Sequence, residues 1–250
     1  MTRAFGVGLA WCATGKSVGT RAMAAAIAAL LAGAVAAPAS AAGPPAKLSQ
    51  IFAPNMLESK LASFEQVAGK ASKIVPGPGG NTERRFYKIE GCEVEAAFGV
   101  GLVRSLYLKL SDRCTFELAA FFAAAQPLPT ASKLTFGEVE RALGTGPIVG
   151  VCLLPCRHAH RPAVYEHLEG SQADKFVDAV LEVGLVDDVS KRAASAWTKP
   201  AREGGGRDYL KGDRFNCDRR YDDMAHKLFD KVRITAIRIG YNFTEAWQCD

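Results

Sequence analysis

The sequence lacks the long runs of basic residues that nucleic-acid-binding surfaces use. The chain of 250 residues has a formal net charge of +5, but Arg3, Lys16 and Arg21 all fall in residues 1–42, which contain no acidic residue. Without these three, 28 of the 31 Lys and Arg residues remain against 26 Asp and Glu, and none stands in a run longer than two. Proteins that neutralise phosphates need a basic stripe. We therefore expect no nucleic-acid partner.

Motifs for nucleophilic catalysis are also missing. Ser171 follows Gly170, but the second glycine of a G-x-S-x-G turn is absent. The acidic pairs Asp187-Asp188 and Asp222-Asp223 are typical of helix starts rather than of an acid/base pair. We expect His226 to be a solvated helix residue. The sequence therefore favours binding over catalysis, and it indicates no catalytic residue and no cofactor.

No apolar run reaches the ~20 residues that a membrane-spanning helix needs. Three basic residues, the apolar run 22–37 and the small residues 39–42 instead follow the order of a secretory signal. Cys12 precedes the apolar run, which argues against a lipid-modified cysteine. We expect residues 1–42 to be a signal peptide. The mature protein would be periplasmic or secreted, with no membrane span after cleavage.

Six cysteines remain after the expected signal peptide, and an even number in an exported chain predicts disulfide bonds. Fifteen pairings of six cysteines are possible. Pairing each cysteine with its nearest neighbour favours Cys92–Cys114, Cys152–Cys156 and Cys217–Cys249.

His158 and His160 follow Cys156 closely, and thiolates and neutral imidazoles are the ligands that zinc prefers. A metal site within residues 152–160 is therefore the alternative to the Cys152–Cys156 disulfide. The spacing of these residues is not one of the standard zinc-binding patterns. We favour the disulfide for that reason.

Proline- and glycine-rich stretches at 76–81, 127–130 and 199–206 divide the chain. They suggest a first unit at 43–126, a second at 127–198, and a linker with a C-terminal unit at 199–250. The first unit begins with a helical pattern over 57–73. Alternating apolar residues then predict a hairpin, with Leu102, Leu106, Leu108 and Leu110 on one face of its second strand and Val103, Ser105, Tyr107 and Lys109 on the other.

The second unit looks like a repeat of the first. Residues 63–67 (SFEQV) recur as 135–139 (TFGEV). Tyr87 followed by Glu90-Gly91 recurs as Tyr165 followed by Glu169-Gly170. Ser63 and Thr135 are expected to cap the two helices. Two unrelated segments with similar turns are the alternative.

The C-terminal unit is predicted to be a helix over 217–231, capped by Asn216, followed by a strand over 232–241. The predicted fold class is thus α+β. It consists of two tandem helix-plus-antiparallel-sheet repeats and a C-terminal helix-strand unit.

The helix start at Thr135–Gly144, followed by a small sheet that carries Tyr165 and repeated in tandem, resembles the β-lactamase inhibitory protein fold. The same module resembles that of small outer-membrane assembly lipoproteins. The resemblance covers about residues 50–186 and implies a concave sheet that is backed by helices and binds another protein. The C-terminal unit departs from that pattern, and no inhibitory contact residue can be carried over.

The layout of Cys152–Cys156, Tyr165 and Tyr221-Asp222-Asp223 also resembles uncharacterised exported bacterial proteins, a similarity that implies no function. The sequence as a whole predicts an exported, disulfide-stabilised, non-enzymatic binding protein whose sheet surface contacts a protein partner in the cell envelope. Aromatic side chains anchor such contacts, and we expect Tyr107, Tyr165 and Trp197 on that surface. The alternative is a metal-binding or enzymatic envelope protein that uses residues 152–160.

Overall fold

The computed structural model describes residues 46–77, 82–122, 128–153, 161–171, 175–203, 210–211, 213–241, 243 and 249. The expected signal peptide, Cys156, His158 and His160 lie outside these residues. None of the helices in the described ranges is long and apolar enough to cross a membrane.

The fold is α+β, as the sequence predicts. Over the described residues, the helices are α1 Lys47–Ile51, α2 Leu61–Ala68, α3 Phe136–Leu143, α4 Asp188–Glu203 and α5 Asp222–Phe229. The strands are β1 Lys73–Pro76, β2 Thr82–Ile89, β3 Cys92–Gly99, β4 Leu102–Lys109, β5 Ile148–Val151, β6 Ala163–Leu168, β7 Asp178–Gly184, β8 Leu210–Lys211, β9 Arg214–Phe215 and β10 Ala236–Gly240.

All ten strands belong to one antiparallel sheet, in the order β1-β2-β3-β4-β10-β7-β6-β5-β9-β8. The first meander, β2-β3-β4, follows α2, and the second, β5-β6-β7, follows α3. This arrangement agrees with a helix and an antiparallel sheet in each half. The tandem repeat itself stays a prediction.

The last strand of the chain, β10, lies between the two meanders and pairs with β4 and β7. All five of its residues are buried. Gly240 lies so close to β4 that a Cβ atom at this position would clash with the carbonyl oxygen of Arg104. The C-terminal segment therefore completes the centre of the sheet, and the three segments of the chain share one sheet.

The main core lies between the helices and alternate residues of the strands. On the side of the first meander, Phe64 of α2 makes edge-to-face contacts with Tyr87 and Phe98. On the side of the second meander, Trp197 of α4 contacts Phe215 and Phe229 in the same way. Such aromatic pairs contribute beyond the apolar area that they bury.

A bulge changes the face pattern predicted for β4. Phe98 lies opposite Val103, whereas Ala97 lies opposite Ser105, so Arg104 is an extra residue. Because of this shift, Val103 is fully buried while Leu102 is only half-buried, the reverse of the expected assignment. Leu106 and Leu108 face the core as predicted.

The helix predicted over 57–73 is shorter than expected. It begins at Leu61, and Gly69 ends it with a φ of 82°. Glu58 donates a backbone hydrogen bond to Val103, and Ser59 accepts one from it, so this stretch pairs with β4 instead of joining the helix. Ser63 consequently lies inside α2 and does not cap it.

Thr135 caps α3 as predicted. Its hydroxyl oxygen accepts a hydrogen bond from the backbone N–H of Glu138, whose carboxylate in turn accepts one from the backbone N–H of Thr135. This reciprocal pair is a capping box.

The C-terminal helix, α5, starts five residues later than expected. Asn216 does not cap it; its side chain accepts a hydrogen bond from Tyr221 N–H and donates to Ile148 O and Asp222 Oδ1. The side chain thus fixes the loop that precedes α5.

Helix α4 was not predicted. Lys199 and Pro200, expected in a linker, lie in its last turn. Because Pro200 has no backbone N–H, α4 lacks the helical hydrogen bond that would join residue 200 to the carbonyl of Ala196.

Two of the favoured disulfide bonds are present. Cys92–Cys114 ties the start of β3 to the segment after β4, and Cys217–Cys249 ties the loop before α5 to the C-terminus. Cys152 is also disulfide-bonded. Its expected partner, Cys156, lies outside the described residues.

Asp187 caps α4, because its carboxylate accepts a 2.7 Å hydrogen bond from Ser190 N–H. This bond lowers the pKa of Asp187. An acid with a lowered pKa stabilises the fold above its unfolded pKa, and that contribution is lost as the pH falls through the folded value.

We expect Asp187→Ala to lower the free energy of unfolding by about 1 kcal/mol at pH 7, measured by urea denaturation of the oxidised protein. The difference from wild type should shrink in acid, as the carboxyl of the wild type becomes protonated. Asp187→Asn, which retains the capping oxygen, is the control and should lose less. An equal loss in both variants, or a loss independent of pH, would contradict the capping role.

Candidate functional site

The face of the sheet opposite the helices carries two rows of side chains. The first row crosses β2, β3, β4, β10, β7 and β6 at Phe86, Glu95, Tyr107, Arg238, Val180 and His167. The second crosses β4, β10, β7, β6 and β5 at Lys109, Ala236, Glu182, Tyr165 and Val149. We call this surface the open face. Alternation along each strand sends the intervening residues to the core.

A polar network holds the middle of the open face. Arg238 donates to Glu95 at 3.2 Å and lies over the ring of Tyr107, 4.9 Å from its centroid. The hydroxyl of Tyr107 donates to Glu182 at 3.1 Å. The side chains of Glu95 and Arg238 are each only 9% exposed. Burial and the neighbouring Glu182 raise the pKa of Tyr107, so this hydroxyl stays a donor.

The open face forms a groove of about 690 Å³. Its lining combines aromatic and apolar side chains, among them Phe86, Tyr165 and Val186, with Lys109 and Arg161. Arg161 and Val186 are exposed, the latter to 69%. The groove thus combines apolar and aromatic side chains with the hydrogen-bonded charges of Glu95, Glu182 and Arg238 in its lining and exposed charged side chains at its rim.

Phe243 and Cys249 lie at one end of the open face. Phe243 packs with Val149, Val151 and Val180 in a small second core, and its ring lies 6.0 Å from that of His167. Cys249, which is bridged to Cys217, packs against the same cluster. The disulfide therefore holds Cys249 on the β5-β6-β7 side of the open face, beside the groove.

The structure brings two of the three expected binding residues together. Tyr107 and Tyr165 both line the groove. The expectation for Trp197 is wrong: it is fully buried in α4, where its indole N–H donates to Tyr221 O. The apolar residues that place Trp197 on the inner face of α4 belong to a helix that the sequence analysis did not recognise.

A second group of functional side chains lies on the opposite, helix-covered side of the sheet. Glu140 of α3, Glu166 of β6 and His226 of α5 offer ligand atoms that all lie within 4.8 Å of one another. His226 Nδ1 is 2.7 Å from Glu140 Oε1 and 4.0 Å from Glu166 Oε1. His226 is therefore not the solvated helix residue that the sequence suggested, since only 18% of its side chain is exposed.

Burial is the largest influence on the pKa of Glu166. It raises the pKa of Glu166 to about 9, a rise that the hydrogen bond from Gly146 N–H opposes and that nearby Glu140 increases. The hydrogen bond to Glu140 raises the pKa of His226. Sequence reasoning missed Glu140 and Glu166. A glutamate in the apolar series Val164-x-Glu166-x-Leu168 was the available signal, since it occupies a core position of the strand.

Comparison with known proteins places the chain in no family. No family model and no curated protein matches it. A solved structure of an extracellular protein containing a SCP domain from Bacillus anthracis str. Ames aligns with 75% of this chain and 45% of its own, at 11% identity and a TM-score of 0.35. The chain thus spans less than half of that protein, and a likeness this low carries no inference about function.

The nearly buried Glu95–Arg238 pair provides a test of the open-face geometry. Removing one partner of a buried ion pair leaves the other charge unpaired at low exposure. We expect Glu95→Ala to lower the free energy of unfolding by about 3 kcal/mol, measured by urea denaturation.

Glu93→Ala is the matched control, because Glu93 is exposed and lines the groove from the same strand. It should change the stability by less than about 0.5 kcal/mol. If both variants lose the same stability, the network does not fix the open face.

Proposed function

We propose that this chain is an exported binding protein whose open face holds a protein partner in the cell envelope. The observation that carries the proposal is the groove, in which Tyr107 and Tyr165 lie beside fixed charges on a face that the helices leave uncovered. Aromatic and arginine side chains are enriched among residues that dominate protein interfaces. The floor is rigid, because Arg238 holds Glu95 and lies over Tyr107, whose hydroxyl donates to Glu182. A preorganised surface loses less entropy on binding.

The dimensions of the groove favour a protein over a small molecule. Its lining runs from Phe86 on β2 to Val151 on β5, across seven neighbouring strands. Six strand spacings of about 4.8 Å give a width of roughly 29 Å. A loop or extended segment of a partner can span that width. The exposed Lys109, Arg161 and Glu93 along the lining suit a segment that carries charged side chains of both signs beside an apolar anchor.

Two further points support the proposal. The disulfide bonds Cys92–Cys114 and Cys217–Cys249 are compatible with an exported protein, because disulfides persist in oxidising compartments. The resemblance of residues 50–186 to the β-lactamase inhibitory protein fold implies the same use of a sheet face. The proposed binding role requires no chemical reaction.

The test is site-specific photo-crosslinking with the full chain, exported and oxidised in bacterial cells. A photoreactive amino acid replaces Tyr165 in the groove, and in the control it replaces Arg192, an exposed residue of α4. We expect the groove position, and not the helix position, to give one dominant adduct that an excess of purified chain competes away. Mass spectrometry then identifies the partner.

Charge reversal at the rim completes the test. Arg161→Glu should weaken binding of the captured partner at least tenfold, whereas Arg192→Glu should change it less than twofold, in a titration with both purified proteins. Competable adducts that form equally from both positions would contradict the proposal. So would the absence of any competable adduct at the groove.

A further inference from the structure

We propose that Glu140, Glu166 and His226 bind one divalent transition-metal ion of the zinc class. This site is separate from the open face and does not depend on the proposed partner. Tyr165 and Glu166 are neighbours on β6, and their side chains point to opposite faces of the sheet. The groove and the metal site therefore lie back to back.

The first argument is the buried carboxylate of Glu166. Its side chain is fully buried at a core position of β6. Oε1 accepts a 2.9 Å hydrogen bond from Gly146 N–H, but Oε2 has no hydrogen-bond partner among the described residues. A buried polar atom without a partner is costly, and native proteins contain few of them. A cation bound at Oε2 or shared by both oxygens would remove that cost.

The second argument is that Glu166 has no cationic partner at hydrogen-bond distance within the described residues. His226 Nδ1 lies 2.7 Å from Glu140 Oε1, and this hydrogen bond already satisfies that nitrogen. Glu166 lies 4.0 Å from the same nitrogen, beyond hydrogen-bond distance. Within the described residues, that imidazole is the single cationic group within 4.0 Å of either carboxylate. The described residues thus supply Glu166 with no counterion of its own.

The third argument is the donor set. One imidazole nitrogen and two carboxylate oxygens are ligands of zinc and of related first-row cations, and three protein ligands leave a coordination position for water. Bonds of about 2.0–2.2 Å place tetrahedral ligands roughly 3.4 Å apart. The contacts of His226 with Glu140 and Glu166, at 2.7 and 4.0 Å, bracket that separation. Shifts of less than about 1 Å would bring both contacts of His226 to the separation that a tetrahedral ion requires.

The surroundings suit an ion that reaches the site from solvent. The side chains of Glu140 and His226 are 10% and 18% exposed, so they form an entrance above the buried Glu166. Asp222, one turn before His226 on α5, adds negative charge and is held by Asn216 at 2.6 Å and by Arg219 at 2.9 Å.

Zinc binding to the full chain, purified without an affinity tag and stripped with a chelator, tests the proposal. We expect one Zn²⁺ per chain in competition with a chromophoric chelator, and a rise in melting temperature on binding. Co²⁺ should give the visible absorption of a four-coordinate site. Glu166→Gln, which keeps the size and the acceptor for Gly146, should weaken zinc binding at least tenfold without lowering the metal-free melting temperature.

Two controls separate this site from other sources of binding. His167→Ala changes a neighbouring residue on the opposite face and should leave zinc affinity within twofold. The double variant His158→Ala/His160→Ala should do the same. If Glu166→Gln does not fold, Glu140→Gln on the more exposed helix α3 takes its place. Absence of stoichiometric zinc would overturn the proposal, as would undiminished binding by the glutamine variants or loss of binding in the double variant alone.

Discussion

The pairing of β10 with β4 and β7 is the interaction on which the rest of the structure depends. Ile237 and Ile239 of this strand enter the main core, while Arg238 points to the open face and holds Glu95. Two meanders that are far apart in sequence become one sheet only through this ladder. Because such long-range pairing closes a large loop, its entropic cost must be offset by the buried contacts on both sides of the strand.

The alternation of side chains along each strand gives the sheet two chemically different faces. On β6, Tyr165 belongs to the groove that we propose holds a protein partner, and Glu166 belongs to the group that we propose binds a metal ion. The same strand therefore positions both features. The Cys217–Cys249 bond links the two sides, since it joins the loop before α5 to Cys249, which lies at one end of the open face.

The sequence predicts the α+β class, the β3-β4 hairpin and the cap at Thr135 because these depend on local alternation and local hydrogen bonds. It could not predict the face shift in β4, since the extra residue Arg104 is defined only by its partner strand. The expectations for two further residues were also wrong: Trp197 is buried and does not lie on the open face, and His226 is largely buried and not solvated. Their surroundings come from β5, β6 and α3, segments distant in sequence whose packing against α4 and α5 no local pattern encodes.

Hydrogen–deuterium exchange of the oxidised protein tests most directly whether the C-terminal strand completes a single sheet. Backbone amides in the central strands of a stable sheet exchange slowest, by global unfolding, whereas edge strands open locally. The account predicts that the amides of Ile237, Arg238 and Ile239 are among the slowest in the chain, as slow as those of β3 and β7. Exchange of these three amides at the rate of an edge strand such as β1 would contradict it.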